Sequence, residues 1–332
     1  MKLLKKINQI RNIMKLPRSV RSAGADQILQ FYHNSAASLN EGNVEWICRE
    51  LRILTHTIEK GLSLPVVRKG FGKEKIQTIL KYLDKYIEIN SFDYDIEAFT
   101  GAVAIVERYV AEADKHSCDV SYIDLSKYKK YYQNDVSEYG VRELENADSL
   151  FKLSEATFDR LAKGRHSIRS FSAEPLDAQR VKEAIELAQT APSACNRQSA
   201  RVVHIQNRDL CKQILDIQGG AKGHSVSELL LVISDLHLYR HMSETGTPYL
   251  DGGIFLMNLL YALTYYNIGS CPLIWNDYSQ KGKDLRNIIK LPQNMHVVAV
   301  VQIGNYPEDG CNYAISRRKA LSEIYLNEKS VL

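Results

Sequence analysis

The sequence predicts an α+β protein in which an all-helical N-terminal domain precedes a domain of strands and helices. Up to about residue 150, apolar residues recur at helical spacing and strand signals are few. From about residue 151, short β-branched runs alternate with helical stretches, a pattern typical of layered domains that pack helices on a sheet. The expected domain boundaries are therefore 1–150 and 151–332.

Three amphipathic helices are predicted in the N-terminal domain, over 43–62, 72–89 and 95–113. The first of them places five apolar side chains on one face, namely Trp46, Ile47, Leu51, Leu54 and Ile58. Gly61 stands near its end and is expected to cap the C-terminus, because glycine adopts the left-handed conformation of such caps without strain.

The C-terminal domain is expected to alternate helices with strands. The helical stretches are 177–191, 253–269 and 283–291, and the strands are 200–206, 228–235 and 296–304. A layered arrangement follows, because strands of this kind need helices to cover their apolar faces.

Composition places the chain among soluble intracellular proteins. Of its 332 residues 45% are hydrophobic and 25% are charged, and six cysteines are scattered without a CxxC pair. No apolar run has the length of a membrane span. We therefore expect a cytoplasmic protein without a metal site, and the absence of GxGxxG, GxxxxGK[ST] and GxSxG argues against Rossmann, P-loop and serine hydrolase sites.

The N-terminus is basic and amphipathic. Residues 1–25 carry seven Lys or Arg and no acid, whereas the rest of the chain sets 36 basic against 39 acidic residues. Leu3, Ile7, Ile10 and Met14 recur at helical spacing, which favours a terminal helix that docks its apolar stripe. Weak contact with a membrane surface stays open as an alternative, and no nucleic-acid partner is expected.

The stretch RHSIRSF at 165–171 concentrates cations and hydroxyls. Arg165, His166 and Arg169 are interleaved with serines, and guanidinium forks together with serine donors suit phosphate oxygens. The alternative is a solvated junction whose arginines pair with nearby acids.

A small polar loop follows in APSACNRQSARVV at 191–203. Pro192 ends the preceding helix, and Ser193, Asn196 and Gln198 lead into a strand. Small residues allow a flat group to approach the backbone, while amides both donate and accept hydrogen bonds, which suits a heteroaromatic edge. A helix stop rich in Asn and Ser is the alternative.

These two stretches, in this order, resemble the FMN-dependent nitroreductase family. The resemblance continues through YLDGGIFLMNLLYALTYYNIGSC at 249–271, the segment 272–307 that ends in GNYP, and SRRK at 316–319, so that it covers about residues 155–325. It implies a nitroreductase-like three-layer fold, in which helices flank a central mixed or antiparallel sheet, and a homodimer with FMN sites at the interface.

The resemblance also implies roles for individual residues. Arg165, Ser167 and Arg169, with Arg317 or Arg318 from the C-terminal end, would hold the phosphate and ribityl chain of FMN, and His166 would lend a further contact. Pro192, Ser193 and Asn196 would line the flavin from the partner subunit, and Gln198 is a weaker member of this set.

One turn departs from the family pattern. Residues 273–275 would lay backbone N–H groups against flavin N5, and Ile274 and Trp275 stand where the family usually has glycine. We expect the bulk of Trp275 to narrow the pocket over the isoalloxazine. The resemblance therefore implies the family's cofactor for this chain more firmly than it implies the family's electron acceptor.

The activity that the resemblance implies is reduction of a nitro, quinone or related conjugated small molecule at the expense of NADH or NADPH, with hydride passing through flavin N5. No catalytic side chain is expected, because the cofactor carries the chemistry. Two alternatives stay open: a specialised flavoenzyme of surface-polysaccharide or other biosynthesis, and a non-catalytic interaction protein that keeps the fold.

The segment HTIEKGLSLPVVRKGFG at 56–72 is the unusual part of the helical half. It is either a capped loop between two helices or a lid that brings Lys60 or Arg68 to an anionic substrate.

Overall fold

The computed structural model describes residues 13–18, 20–21, 25, 42–89, 96–131, 140–144, 157–225, 228–239 and 244–328. The basic segment 1–25 thus falls largely outside the described residues, and its helix stays a prediction. Within the described ranges, no helix combines the length and the apolar character that a membrane crossing requires.

The helical half contains α1 (Val44–Leu62), α2 (Lys73–Ile89), α3 (Ile96–Ala111) and the short α4 (Ser126–Lys129). The first three lie within two residues of the predicted bounds. Their apolar faces meet in one buried cluster that includes Ile47, Leu51, Ile58, Ile76, Leu83, Phe99 and Ile105. Helical periodicity was a sufficient guide here because each helix buries one face against the other two.

Gly61 does not cap α1. The helix continues to Leu62, and Ser63 stands at its C-terminus with φ −85°. A Cβ atom on Gly61 would lie 1.8 Å from Cζ of Phe71, so the glycine is required because the phenyl ring packs directly on the helix backbone. At the other end, the Asn43 side chain accepts a hydrogen bond from Trp46 N at 3.1 Å, a standard N-terminal cap.

The C-terminal half is built on an antiparallel sheet with the order β2-β3-β5-β4. The strands are β2 (Ala200–Ile205), β3 (Glu228–Asp235), β4 (Gly269–Ile274) and β5 (Met295–Gly304). The helices are α5 (Phe158–Gly164), α6 (Ala178–Ala188), α7 (Arg208–Gln218), α8 (Thr247–Tyr265), α9 (Gln280–Ile288) and α10 (Leu321–Ile324).

Helices cover both faces of this sheet. One buried cluster joins α6 and α8 to Leu230 and Val232 of β3, and another joins α7 and α9 to the alternate residues Leu229 and Leu231. Successive side chains of a strand point to opposite faces, so β3 is buried on both sides. The expected α+β, three-layer arrangement is confirmed.

Strand β4 is a feature that the sequence pattern did not predict, since 269–275 was expected to be a helix exit and a turn. It pairs with β5 over Gly269–Ile274 and forms one edge of the sheet. Glycine and proline both weaken a strand pattern, and Pro272 is tolerated because an edge strand can dispense with a donor.

A second short strand pair joins the two halves. Strand β1 (Val141–Leu144) is antiparallel to β6 (Cys311–Ala314), with Val141 opposite Ala314. The N-terminal half is therefore not purely helical. Four residues are too few to show alternation, and β1 exists because a partner far along the chain pairs with it.

Candidate functional site

The stretch 165–171 runs along the edge of the sheet. It leaves α5 at Arg165, and Ser167 forms a parallel bridge with Ser270 of β4. The Ile168 N–H donates to the Ser270 carbonyl at 2.9 Å, and Ile168 itself is buried. These contacts hold the arginines on either side of Ile168 in fixed positions beside β4.

The two arginines of this stretch have buried donors that lack partners. Arg169 is only 5% exposed, and its Nη1 donates to the Ser167 carbonyl at 3.2 Å. Arg165 is half-buried. Its Nη1, Nε of Arg169 and Oγ of the neighbouring Ser270 are buried without a hydrogen-bond partner among the described residues. An unmet buried donor costs about 1–3 kcal/mol, and native proteins keep few of them. The site is built for an acceptor that these residues do not themselves supply.

Further positive charge gathers around the arginines. Burial, followed by the charge of Arg169, lowers the pKa of the Lys60 ammonium, which stands in the last turn of α1. Burial and then the charge of Arg318 lower the pKa of the Arg165 guanidinium. Lys60, Arg165 and Arg169 form no ion pair with a carboxylate of the described residues. This lack of a counter-charge favours an anionic ligand over the alternative of a solvated junction.

The pKa values of two histidines are lowered by the same positive charges. Burial, and then Arg165 and Arg318, lower the pKa of His166 to about 4, and its ring stacks on Tyr313 with 3.8 Å between centroids. Burial also lowers the pKa of His224, and Arg169 adds to this effect. Both rings are thus neutral at pH 7, and the fixed charge of the site comes from Arg and Lys.

The loop that carries Pro192 and Ser193 is held in a strained shape. Cys195 and Gln198 have φ of +54° and +52°, which is uncommon for residues other than glycine. Gln198 N donates to Ser193 Oγ at 2.9 Å, and Ala194 N donates to Asp251 of α8 at 3.0 Å. The buried Asp251 holds the loop in place. In the sequence, the one hint of this role was that an aspartate stands near the start of the helix.

A small cavity of about 110 Å³ opens beside this loop, lined by Pro192, Ser193, Gln198, Asp251 and Phe255 among others. The side chain of Asn196 lies outside the described part of the structure, so its predicted role stays a prediction.

The predicted site residues fall into two separate groups within one chain. Arg165 to Arg169 lie beside β4, whereas the loop 191–198 leads into β2 at the opposite edge of the sheet. Three strand spacings separate these edges, about 14 Å. A single chain does not bring the two groups together.

Trp275 does not stand where we expected it. Its side chain is 6% exposed and packs in the cluster that contains Cys271 and Leu273, and its Nε1 donates to Asp277 at 3.1 Å. The indole therefore fills the core and does not narrow a pocket. The reason is strand alternation, which carries residues 271, 273 and 275 to one face and leaves Ile274 88% exposed on the other.

Arg317 and Arg318 follow β6 and lie against the helical half, where they line a cavity of about 290 Å³ together with Arg52 and His56 of α1. Arg52, His56 and Lys60 recur every four residues and so occupy one face of α1. Sequence reasoning missed this basic stripe, although its spacing was a readable signal. It also missed Ser270 and His224, for which the sequence offers no signal.

Comparison with known proteins bears on this segment directly. A family model described as the nitroreductase family matches residues 162–222, which include both RHSIRSF and the loop of Pro192 and Ser193. Residues 162–222 are thus similar to the nitroreductase family. The resemblance predicted from the sequence is confirmed, and the arginines beside β4 and the strained loop are both parts of the nitroreductase segment.

Two relatives extend the nitroreductase match. A protein of Archaeoglobus fulgidus, provisionally named NADH dehydrogenase/NAD(P)H nitroreductase, is 27% identical over 44% of this chain and 82% of its own length. The FMN reductase [NAD(P)H] of Bacillus subtilis is 23% identical over 49% of this chain and 72% of its own. Among solved structures, a nitroreductase family protein of Streptococcus pneumoniae is 20% identical, with a TM-score of 0.45 over 52% of this chain and 100% of that one.

Proposed function

We propose that the protein is an FMN-dependent oxidoreductase that uses NADH or NADPH to reduce a nitro, quinone or related conjugated small molecule. The observation that carries this proposal is a pair of arginines, Arg165 and Arg169, in the segment that matches the nitroreductase family. Nη1 of Arg165 and Nε of Arg169 are buried donors without a partner among the described residues. The names of the Archaeoglobus and Bacillus relatives support NAD(P)H as the electron donor, and the latter supports FMN.

The residues present fit a flavin phosphate. Arg165 and Arg169 offer buried guanidinium donors, the Ser270 hydroxyl beside them also lacks a partner among the described residues, and no described carboxylate competes for the guanidinium groups. Ser167, His166 and either Arg317 or Arg318 would complete the phosphate end, and Ile274 would present backbone groups to the ring. The bound FMN would supply the redox chemistry, accepting a hydride at N5 and passing it to the acceptor.

We also propose that the protein acts as a homodimer. The loop of Pro192, Ser193, Asn196 and Gln198 lies across the sheet from Arg165, so a second copy is required to complete one site from both groups. Helix α8 exposes an apolar stripe at Leu250, Ile254 and Met257, spaced as one face of a helix. Such a face suits a second copy of the same chain.

The test of the flavin proposal is titration of the purified protein with FMN, followed by its absorbance spectrum. We expect about one FMN per chain, and oxidation of NADH or NADPH when a nitroaromatic or a quinone is added. FAD serves as the control and should bind far more weakly, because the sequence carries no dinucleotide fingerprint. A protein that takes up no FMN would overturn the proposal.

A further inference from the structure

A cavity of about 290 Å³ lies between the helical half and the segment that follows β6. One wall is α1, with Arg52, Thr55 and His56, and the opposite wall is the C-terminal stretch with Arg317 and Arg318. Small residues of α3, Ala98 and Gly101, stand one helical turn apart at its floor, which leaves the space open.

The charge of the cavity is positive. Among its described lining residues Glu59 is the one carboxylate, and both its oxygens are engaged. Its Oε2 lies 3.2 Å from His56 Nδ1, and its Oε1 accepts from Gly140 N at 3.4 Å. Arg52 contacts Glu323 at 3.4 Å on the rim of the cavity, where the ion pair is partly exposed. Three arginines, Arg52, Arg317 and Arg318, line the cavity with that one carboxylate, so the lining is net positive, which favours an anion.

Thr55 supplies a second sign of a ligand. A threonine within a helix commonly bonds the carbonyl four residues back, as Thr57 does with Ile53 at 2.8 Å. The Thr55 hydroxyl is instead buried without a partner among the described residues. Across the cavity, Ser316 has φ +51°, a strained conformation of the kind that persists where surrounding contacts or function require it.

The cavity adjoins the buried arginines of the proposed flavin site. Arg318 lines the cavity, and its charge also lowers the pKa values of Arg165 and His166. Such electrostatic coupling weakens with distance, so one polyanionic ligand, or two anions side by side, would contact both sets of cations.

We propose that this cavity binds a phosphate group, and that the helical half contributes Arg52, Thr55 and His56 to the binding. The phosphate belongs either to FMN or to the electron donor or acceptor. The first source rests on the proposed function, whereas the second requires only the cavity. In both cases the helical half is part of the ligand site, not an independent appendage.

The test compares Thr55→Val and Arg52→Gln with a matched control, Lys81→Gln, which removes one exposed positive charge of α2 in the same half, outside the cavity. Full-length protein freed of flavin is titrated with FMN and with riboflavin, which lacks the phosphate. If FMN is the source, each cavity variant weakens FMN about tenfold and leaves riboflavin and the control unchanged.

If the phosphate comes from another molecule, the cavity variants bind FMN as wild type does. A second titration then tests whether the cavity binds a phosphate group at all. FMN-saturated protein is titrated with pyrophosphate by calorimetry, and both cavity variants are expected to lose about tenfold in affinity while the control does not. The proposal is overturned if the cavity variants match wild type in both titrations.

Folding and function are separated by two further readouts. Thr55→Val removes an unpartnered buried hydroxyl, so the unfolding midpoint without ligand should stay equal or rise, which shows that lost affinity is not lost folding. If wild type takes up no FMN, the flavin-free proteins are titrated with pyrophosphate. Binding to wild type that both cavity variants weaken would then overturn the flavin proposal and leave this one standing.

Discussion

Nδ1 of His56 lies 3.3 Å from Oγ of Ser316, and this contact ties α1 to the segment that carries Arg317 and Arg318. Close by, Ile315 N donates to the Gly140 carbonyl at 3.1 Å, which continues the pairing of β1 with β6. The two halves are thus joined at the point where the C-terminal arginines leave the sheet, so changes on α1 can act on the proposed flavin site.

Replacing Arg169 by alanine should weaken FMN about tenfold to a hundredfold. The change removes a buried charge-assisted partner of an anion, which is worth about 1.5–3 kcal/mol. Flavin fluorescence during titration measures the affinity, and Lys81→Ala, at an exposed position of α2, is the control. Unchanged affinity in Arg169→Ala would show that the phosphate lies elsewhere.

Lys60→Met should raise the thermal midpoint of the flavin-free protein and reduce the stabilisation that FMN provides. In the flavin-free protein the half-buried ammonium is repelled by Arg169, so its removal should raise the thermal midpoint by a few degrees. Saturation with FMN should then stabilise the variant less than it stabilises wild type, because one cation of the site is missing. Thermal unfolding with and without FMN checks both, and equal FMN-induced shifts in the two proteins would place Lys60 outside the site.

Stability should fall in acid partly because of His166. The pKa of His166 is about 4 in the folded protein, whereas an unperturbed histidine, as in the unfolded chain, has a pKa of 6.5. The unfolded chain therefore binds the proton first as the pH falls, and stability is lost between pH 6.5 and 4. His166→Phe keeps the stacking on Tyr313 without the titration. Between pH 7 and 4.5 wild type should lose on the order of 2 kcal/mol more than the variant in urea unfolding. Parallel losses would mean that His166 is not held neutral.

Truncation of Trp275 should lower the free energy of unfolding strongly, whereas truncation of the neighbouring Ile274 should hardly change it. Trp275→Ala empties a buried position and should cost about 3–5 kcal/mol of unfolding free energy. Ile274→Ala, at the neighbouring exposed position, should change it by less than about 0.5 kcal/mol. Chemical denaturation of both variants measures this. A stable Trp275→Ala with altered acceptor preference would instead favour a pocket role for the indole.

The apolar stripe of α8 should hold the proposed homodimer together. Leu250→Lys, at a position 61% exposed in one chain, should yield a monomer that binds FMN much more weakly, since the loop of Ser193 would no longer reach the arginines of its partner. Ile53→Lys, at a similarly exposed position of α1, is the control. Light scattering gives the mass, and a monomer that keeps its flavin would contradict the shared site.

Local signals were enough for the amphipathic helices of the N-terminal half and for the basic stretch at 165–171. Helical periodicity placed α1, α2 and α3, because each buries one face and its apolar spacing is written in adjacent turns. Likewise RHSIRSF is a signal within seven residues, and its chemistry does not depend on distant contacts.

Only the tertiary structure decided which residues meet. In the folded chain Trp275 lies in the core, and the ring of Phe71 packs on Gly61. Strand β1 pairs with β6, and the basic face of α1 lies across a cavity from Arg317 and Arg318. Each of these depends on what packs against a residue from another part of the chain. A strand or helix pattern states that one face will be covered, but the covering element, and hence the composition of a site between two elements, is determined by long-range packing.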